Sequence, residues 1–431
     1  MPKLAIAGGN PVRQEPVARW PQFDEREQKG LAGVLQSGNW GGYPFPNDLA
    51  DRFAQRFAAY HDARFGLCAA NGTVALEIAL KSAAIKPGDE VIVPAYTFEA
   101  TAVPVLRLGA VPVFVDISPQ NYCVSPSAIE DALTERSRAV IPVHMAMNMA
   151  DMDAIMAIAA RHQLRVIEDC AHAHGAAWKN RGAGSYGDAG SFSMQTSKLM
   201  TAGEGGVVIT SDERVFELCQ SYTNCGRAST GDRFGDRILG FNYRMTEFQA
   251  AVLLAQLERL PAQTEKRSAR ADQLRRTLAE VQGVTLLQRD ERLTRQAIYH
   301  FVFKYDNRFF GGVHRDRFVA ALECEGVPCD GLFYEPLYRS ALFHVDPRDF
   351  PQLKASSPET LPWANTRCPA AEHAAYEESV WLPHPLFLGN EQVIDQIAEA
   401  ILKIQQNIDE LRNAEHPLIE KKSCSRVNRR D

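Results

Sequence analysis

Between residues 70 and 210 the chain alternates short β-branched runs with segments of helical periodicity, and this alternation restricts the fold more than any other feature. The apolar runs GDEVIVPAY, GAVPVFVD, SRAVIPVH and LRVIEDC are bounded by Gly, Pro or polar residues. Between them lie TVALEIALKSAA, SPSAIEDALTE and MDAIMAIAARH, whose apolar residues recur every three or four positions. Strands that alternate with helices predict an α/β fold with a mainly parallel sheet and helices on both faces.

The length of 431 residues predicts two domains rather than one small core. Thr246 and Gln249 stand at capping-box spacing at the start of EFQAAVLLAQLERLPAQ, which predicts a long helix linking the domains. Beyond residue 262 the segments QAIYHFVFKYD, HRDRFVAALECEGV and EQVIDQIAEAILKIQQNI indicate an α+β unit. We therefore predict a large domain at 1–261, a small C-terminal domain at 262–412 and a flexible basic tail at 413–431.

Composition excludes several classes of protein. A net charge of -6 argues against a nucleic-acid-binding surface, which usually carries a basic excess. No apolar run reaches the length of about 18 residues that a membrane span needs, and the N-terminal apolar stretch is too short for a secretory signal. The nine cysteines are scattered without a C-x-x-C pair, which predicts reduced thiols in a cytoplasmic enzyme. His172 and His174 lack a second ligand cluster, so no metal site is predicted.

Two features near the ends of predicted strands could carry chemistry. VIEDCAHAHGA places Glu168 and Asp169 at a strand end, the edge where α/β sheets bind ligands. A carboxylate there either caps the following turn or holds a cationic ring nitrogen. About thirty residues later, SFSMQTSKLMTAGEGG carries Lys198, whose amine can form a Schiff base with an aldehyde. In an α/β chain, the carboxylate and the lysine together point to pyridoxal phosphate.

The same domain offers the other groups that pyridoxal phosphate needs. Gly72 and Thr73 open a predicted helix, whose N-terminus suits a phosphate, although the preceding asparagine also suits a plain N-cap. Ser193 supplies a hydroxyl five residues before the lysine. Tyr96 and Phe98 follow a strand end and could stack on a flat ring. The segment GAGSYG at 182–187 matches G-x-G-x-x-G, but it follows polar residues rather than a strand, so no dinucleotide site is predicted there.

The motifs NGTVAL, GDEVIVPAYTFEATA, IEDCAHAHGA, GSFSMQTSKLMTAGEGGVV and GFNYRMTEFQAAVLLAQL occur together, in this order. The chain resembles the DegT/StrS-type aminotransferases of sugar and cyclitol biosynthesis from about residue 10 to residue 405. The resemblance implies a transaminase (EC 2.6.1 class) with the aspartate-aminotransferase-like fold (fold type I) and pyridoxal 5′-phosphate as cofactor. It is greatest to the keto-cyclitol aminotransferases and the 3-amino-5-hydroxybenzoate synthases.

The resemblance also implies roles for single residues. Lys198 would bind the cofactor covalently and later move the substrate proton, while Asp169 would pair with the pyridine nitrogen. His172 would lie near the phenolic oxygen, and Phe98 would stack on the ring. The expected phosphate contacts are Gly72, Thr73, Ser193 and, from the neighbouring subunit, Asn242. That last contact implies a homodimer with shared active sites.

The substrate is less constrained than the cofactor. Gln195, where nucleotide-sugar members usually carry an aromatic-proline stretch, favours a carbocyclic ketone and L-glutamine or L-glutamate as the amino donor. The dehydrating and aromatising reaction of 3-amino-5-hydroxybenzoate synthase and amination of a nucleotide-linked keto-sugar remain alternatives. Lys198 excludes the deoxysugar dehydratases, which carry histidine at that position. Other candidate substrate contacts are Trp40, Tyr43, Tyr299, His300 and His384.

Overall fold

The computed structural model describes residues 2–42, 46–227, 238–355, 361–419 and 421. Tyr43 and most of the predicted basic tail lie outside these ranges. The strands are β1 (Phe65–Ala69), β2 (Glu90–Pro94), β3 (Val111–Val115), β4 (Ser137–Val140), β5 (Arg165–Asp169), β6 (Ala177–Trp178), β7 (Arg181–Gly182), β8 (Ala189–Ser193), β9 (Gly206–Thr210), β10 (Val284–Leu286), β11 (Leu293–Arg295), β12 (His300–Tyr305) and β13 (Ser379–Pro383).

The α-helices cover both faces of the main sheet and build the C-terminal part of the chain. They are α1 (Glu25–Ser37), α2 (Asp48–Tyr60), α3 (Gly72–Ser82), α4 (Val103–Arg107), α5 (Pro126–Asp131), α6 (Met152–His162), α7 (Glu213–Thr223), α8 (Glu247–Leu278), α9 (Arg315–Cys324), α10 (Pro369–His373), α11 (Gln392–Gln406) and α12 (Ile408–Asn413).

The main sheet has seven strands in the order β1-β9-β8-β5-β4-β2-β3. Its strands from β8 to β3 pair in parallel, whereas β9 runs antiparallel to both of its neighbours. All five residues of β2 are buried, as expected for a strand covered on both faces. The predicted α/β fold with a mainly parallel sheet is therefore confirmed. The carboxyl ends of its parallel strands lie along one edge, and nine of the predicted site residues line a cavity there.

The C-terminal part has its own antiparallel sheet, in the order β10-β12-β13. Helix α8 leads into this sheet. The predicted capping box is present, because the Thr246 side chain accepts from the Gln249 backbone N–H and the Gln249 side chain accepts from the Thr246 backbone N–H. The predicted domain boundary at residue 261 falls inside α8, which continues through Pro261 to Leu278. A single continuous helix therefore links the two parts of the chain, with contacts to α1 and α2 and to α11 and β10.

The described cysteines are all free thiols, and only Cys225 among them is exposed. Burial raises the pKa of Cys68, Cys123 and Cys170. These thiols are protonated at neutral pH and behave as small apolar side chains. In the described part of the chain, no helix combines the length and the apolar character that crossing a bilayer requires.

Candidate active site

A cavity of about 950 Å³ opens at the carboxyl ends of β2, β5 and β8, beside the N-terminus of α3. Parallel sheets place ligand sites at this edge. Nine of the residues predicted from the sequence line the cavity together: Gly72, Thr73, Phe98, Asp169, His172, Ser193, Gln195, Lys198 and Tyr299.

Lys198 reaches the cavity from a turn after β8, in which its backbone N–H donates to the Gln195 carbonyl at 2.9 Å. The side chain is buried, and Nζ lies 4.7 Å from the centroid of the Tyr299 ring. Burial lowers the pKa of Lys198 to about 8, although the nearby Asp169 acts in the opposite direction. About a tenth of the molecules then carry a neutral amine at pH 7, far more than for an exposed lysine.

Asp169 ends β5 and is buried at the base of the cavity. One carboxylate oxygen accepts from Thr101 Oγ1 at 2.8 Å and the other from the Ala171 backbone N–H at 3.1 Å. Burial raises the pKa of Asp169, while the Thr101 hydrogen bond and the Lys198 charge oppose this shift. The carboxylate is therefore a group whose charge a further cationic partner in the cavity would stabilise.

Glu168, the other member of the acidic pair, points to the opposite face of β5 and has a structural environment. Its carboxylate accepts from the backbone N–H groups of Gly184, Tyr186 and Gly187 at 2.7–2.8 Å. His144 Nε2 lies 3.0 Å from the same carboxylate. The glycine-rich segment that imitates a dinucleotide motif therefore wraps around a side chain of its own sheet.

His172 is held between two tyrosines at the cavity wall. Its ring stacks on Tyr299 with centroids 4.0 Å apart. His172 Nδ1 accepts from the Ala146 backbone N–H at 3.3 Å, so the neutral ring carries its proton on Nε2 and donates to Tyr334 Oη at 3.0 Å. Burial, followed by the Lys198 charge, lowers the pKa of His172 well below its usual value. The ring is thus a neutral hydrogen-bonding group at physiological pH.

The first turn of α3 faces the cavity beside Ser193. Asn71 caps the helix by accepting from the Val74 N–H at 2.9 Å, so the predicted N-cap role is present. A Cβ on Gly72 would lie 2.6 Å from the Ser193 Cβ and 3.0 Å from its hydroxyl, which only glycine avoids. Backbone N–H groups at a helix start and an adjacent hydroxyl are a favourable environment for an anion.

Four other predicted site residues do not line this cavity, and Tyr43 lies outside the described residues. Trp40 is half exposed and packs at 5.6 Å against Phe248 on α8. His300 is buried behind Tyr299, with ring centroids 4.5 Å apart. His384 Nε2 lies 3.1 Å from the Ser197 carbonyl, and Asn242 is exposed. The predicted substrate roles of Trp40, His300 and His384 therefore have no support from the cavity lining.

Sequence reasoning missed Thr101 and Tyr334. Thr101 lies three residues after Phe98 and turns its hydroxyl to Asp169, so the polar residue in TFEAT was an available signal. Tyr334 comes from the segment GLFYEP, more than 160 residues beyond His172 in the chain. Nothing in its local pattern distinguishes it from an ordinary buried aromatic residue.

Comparison with known proteins identifies the family of the chain. The sequence profile of the DegT/DnrJ/EryC1/StrS aminotransferase family matches residues 21–402. A Streptoalloteichus tenebrarius protein provisionally named L-glutamine:3-amino-2,3-dideoxy-scyllo-inosose aminotransferase is 44% identical over 413 residues, which are 95% of this chain and 99% of that protein. The L-glutamine:scyllo-inosose aminotransferase of Streptomyces griseus is 37% identical over 420 residues, covering 95% and 99% of the two chains.

A solved structure gives the same result for the fold. The crystal structure of 3-amino-5-hydroxybenzoic acid synthase superposes with a TM-score of 0.79 at 34% identity, covering 93% of this chain and 100% of the other. Both the sequence profile and these relatives extend over nearly the whole chain. The chain therefore belongs to the DegT/DnrJ/EryC1/StrS aminotransferase family and is a transaminase.

Proposed function

We propose that this transaminase binds pyridoxal 5′-phosphate in the cavity and transfers an amino group from L-glutamine or L-glutamate to a keto-cyclitol. The cavity fits the cofactor in three respects. Lys198 is buried with a lowered pKa, Asp169 offers a buried carboxylate, and the close packing of Gly72 on Ser193 sets the N-terminus of α3 beside a hydroxyl, an environment that suits a phosphate. Phe98 exposes half of its surface at the cavity, as a stacking partner for a flat ring must.

The bound cofactor supplies an electrophilic aldehyde and a protonated ring that accepts electron density. The burial of Lys198 in the cavity is the single observation that carries the proposal. Its lowered pKa leaves a fraction of Nζ neutral at physiological pH, and only the neutral amine is nucleophilic. Lys198 Nζ would hold the cofactor covalently through its aldehyde carbon, and as a free amine it would move the proton of the donor α-carbon.

Asp169 would hold the ring nitrogen in its protonated form, and Thr101 fixes the orientation of the carboxylate. The neutral His172 ring can donate a hydrogen bond only from Nε2, because Nδ1 accepts from the Ala146 backbone N–H. Nε2 would either keep its Tyr334 partner or donate instead to the phenolic oxygen of the cofactor. Tyr299 supports both Lys198 and His172 by packing between them. The proposed task of these residues is to position protons and charge.

The acceptor we propose is a keto-cyclitol, including one that already carries an amino group. Its support is the activity named for two relatives that are 44% and 37% identical to this chain. The cavity also carries Glu99 and Glu335 in its lining, and Glu335 Oε1 lies 3.4 Å from the Tyr376 hydroxyl. Two carboxylates near the cavity would favour a substrate with an ammonium substituent over one with a phosphate. Such a product belongs to aminosugar or antibiotic biosynthesis.

The dehydrating and aromatising reaction of 3-amino-5-hydroxybenzoate synthase is the second candidate. Its support is the 34% identity to that solved structure and the same requirement for a lysine. Amination of a nucleotide-linked keto-sugar has less support, because the solved aminotransferase that holds its TDP-sugar product is 27% identical to this chain, against 44% and 37% for the two keto-cyclitol aminotransferases. We further propose a cytoplasmic homodimer, in which Asn242 of one subunit reaches the phosphate of the other.

Incubation with pyridoxal phosphate, L-glutamine and a panel of ketones tests the proposal. We expect mass spectrometry to detect an amine from scyllo-inosose or its amino-dideoxy analogue and no product from nucleotide keto-sugars. Glu335→Gln should raise the KM for the aminated ketone and leave the KM for scyllo-inosose unchanged. Formation of an aromatic product, or amination of the nucleotide sugars alone, would contradict the assignment of the acceptor.

A further inference from the structure

Two side chains from distant parts of the sequence donate hydrogen bonds to the backbone immediately before Lys198. Trp20 Nε1–H donates to the Thr196 carbonyl at 2.8 Å. His384 Nε2–H donates to the next carbonyl, that of Ser197, at 3.1 Å. Thr196 and Ser197 directly precede Lys198 in the chain. Neither Trp20 nor His384 lines the cavity. Two successive peptide groups are thus fixed by side chains that come from distant parts of the sequence.

The two donors also pack against each other. The rings of Trp20 and His384 meet edge to face with centroids 4.6 Å apart. The buried Arg267 of α8 lies over the Trp20 ring, with Cζ 5.2 Å from the centroid. Burial, followed by the Arg267 charge, lowers the pKa of His384 well below its usual value. His384 is therefore neutral, and the carbonyl partner requires its proton to stand on Nε2.

Each donor is anchored independently of the lysine turn. Next to Trp20, the Gln22 carbonyl accepts from Gln256 Nε2 at 2.8 Å, which ties the N-terminal segment to α8. His384 follows β13, and its backbone N–H donates to the Tyr299 carbonyl at 3.1 Å. Tyr299 in turn places its hydroxyl 3.1 Å from Ser197 Oγ. The N-terminal segment, through Trp20, and the C-terminal sheet, through His384, therefore both contact the turn that carries Lys198.

We propose that Trp20 and His384 form a clamp that positions Lys198 by holding the Thr196 and Ser197 carbonyls. The clamp consists of positioning residues and rests on the proposed role of Lys198. A lysine that must approach one carbon from one direction loses rate when its backbone can rotate, because small misplacements of reacting groups are costly. The clamp removes that rotation without placing any group of its own in the reaction.

The test compares Trp20→Phe, His384→Phe and His384→Gln with wild type, all loaded with pyridoxal phosphate. Phenylalanine keeps an aromatic ring but removes the N–H donor, whereas glutamine can replace the Nε2 donor of histidine. Trp363→Phe is the matched control, because Trp363 Nε1 also donates to a buried backbone carbonyl, that of Phe343 at 3.1 Å, away from the cavity. The readouts are kcat, the KM for L-glutamine and the pH titration of the visible absorbance of the lysine-bound cofactor.

We expect Trp20→Phe and His384→Phe each to lower kcat by about tenfold, the rate equivalent of roughly one hydrogen bond, with little change in KM. Both variants should also shift the midpoint of the absorbance titration, and His384→Gln should recover most of the rate. The control should keep the wild-type kcat and titration. The proposed clamp would be wrong if its variants kept the wild-type kcat and titration and lost only thermal stability, to the same extent as Trp363→Phe.

A Lys198→Ala enzyme separates this result from the proposed function. Loss of the visible band in Lys198→Ala, together with wild-type kinetics of the clamp variants, would refute the clamp and support the proposed role of the lysine. Persistence of the band in Lys198→Ala would remove both.

Discussion

At Lys198, burial serves reactivity at the expense of stability. The folded protein holds the pKa of Lys198 at about 8, whereas the unfolded chain has the ordinary value near 10.5. Between those values the unfolded state binds more protons, so the stability of the folded state rises with pH across this window. Below pH 8 the full cost of the buried charge is present.

Lys198→Met should therefore stabilise the cofactor-free protein at pH 7, by up to about 3 kcal/mol. The gain should shrink as the pH rises from 8 towards 10.5, because wild type then loses its buried charge. Denaturant unfolding of both proteins at pH 7 and pH 9.5 measures it. The exposed Lys86 gives the matched control, since Lys86→Met should change stability little at either pH. A destabilised Lys198→Met protein at pH 7 would contradict the assigned cost.

Asp169 allows a second test at the same scale. Asp169→Asn keeps the shape and the Thr101 hydrogen bond but removes the charge, so we expect kcat to fall by about a hundredfold or more. Thr101→Val keeps the charge and loses only the orienting hydroxyl, and its effect should be about tenfold. Steady-state kinetics of the loaded enzymes give both values. Equal losses in the two variants would mean that orientation, not charge, is what Asp169 provides.

Strand β5 explains why the acidic pair was ambiguous in the sequence. Adjacent residues of a strand point to opposite faces, so one of Glu168 and Asp169 had to face away from the site. Which one faces the cavity depends on the tilt of the sheet and on the covering loop, and neither is encoded in the local pattern. The loop itself, GAGSYG, carries the backbone donors for Glu168, which gives its glycines a structural reason.

Glu168→Gln should destabilise the fold by about 3 kcal/mol while leaving kcat per folded molecule close to wild type. The reason is that an amide cannot accept the three backbone N–H groups of residues 184–187 as well as a carboxylate does. Thermal unfolding and active-site titration separate the two quantities. An inactive but fully stable Glu168→Gln enzyme would instead place Glu168 in the chemistry.

Elements with strong periodicity could be predicted, and the contacts between distant elements could not. The four apolar runs became β2 to β5, and α3, α6 and α8 lie where helical spacing places them. Lys198 and Asp169 were accessible because strand ends converge at one edge of a parallel sheet. Tyr334 reaches the cavity, and Trp20 the backbone before Lys198, from segments far away in the chain, so only the packing of the C-terminal part and the N-terminal segment brings them there.

At the scale of the whole molecule, the N-terminal segment ties the two parts of the chain together. The backbone N–H groups of Ala5 and Val12 donate to the buried Glu325 carboxylate, which pairs at 2.8 Å with Lys403 on α11. A few residues later, Asp24 pairs with Arg259 on α8 at 2.8 Å. The same stretch thus crosses from the C-terminal part to the long helix and carries Trp20 between them. Its sequence has no strong periodicity that would predict this course.

The proposed homodimer makes a prediction about the whole assembly. Asn242 is exposed, and its neighbours Leu239 and Phe241 are exposed apolar residues, as expected for a surface that a second subunit covers. If Asn242 completes the phosphate site of the partner, each site combines Lys198 of one chain with Asn242 of the other. Lys198→Ala and Asn242→Ala would then inactivate the same sites through different chains.

Co-expression of the Lys198→Ala and Asn242→Ala chains with different affinity tags should therefore restore activity. Random pairing makes half of the dimers mixed, and each mixed dimer has one intact site, so the pool should recover about a quarter of wild-type activity. Mixed dimers isolated through both tags should recover about half. The exposed Lys86→Ala chain in place of Asn242→Ala controls for dilution by an active subunit. Because a site built within one chain would leave both variants inactive in every pairing, no recovery would mean that Asn242 acts on its own subunit or only on folding.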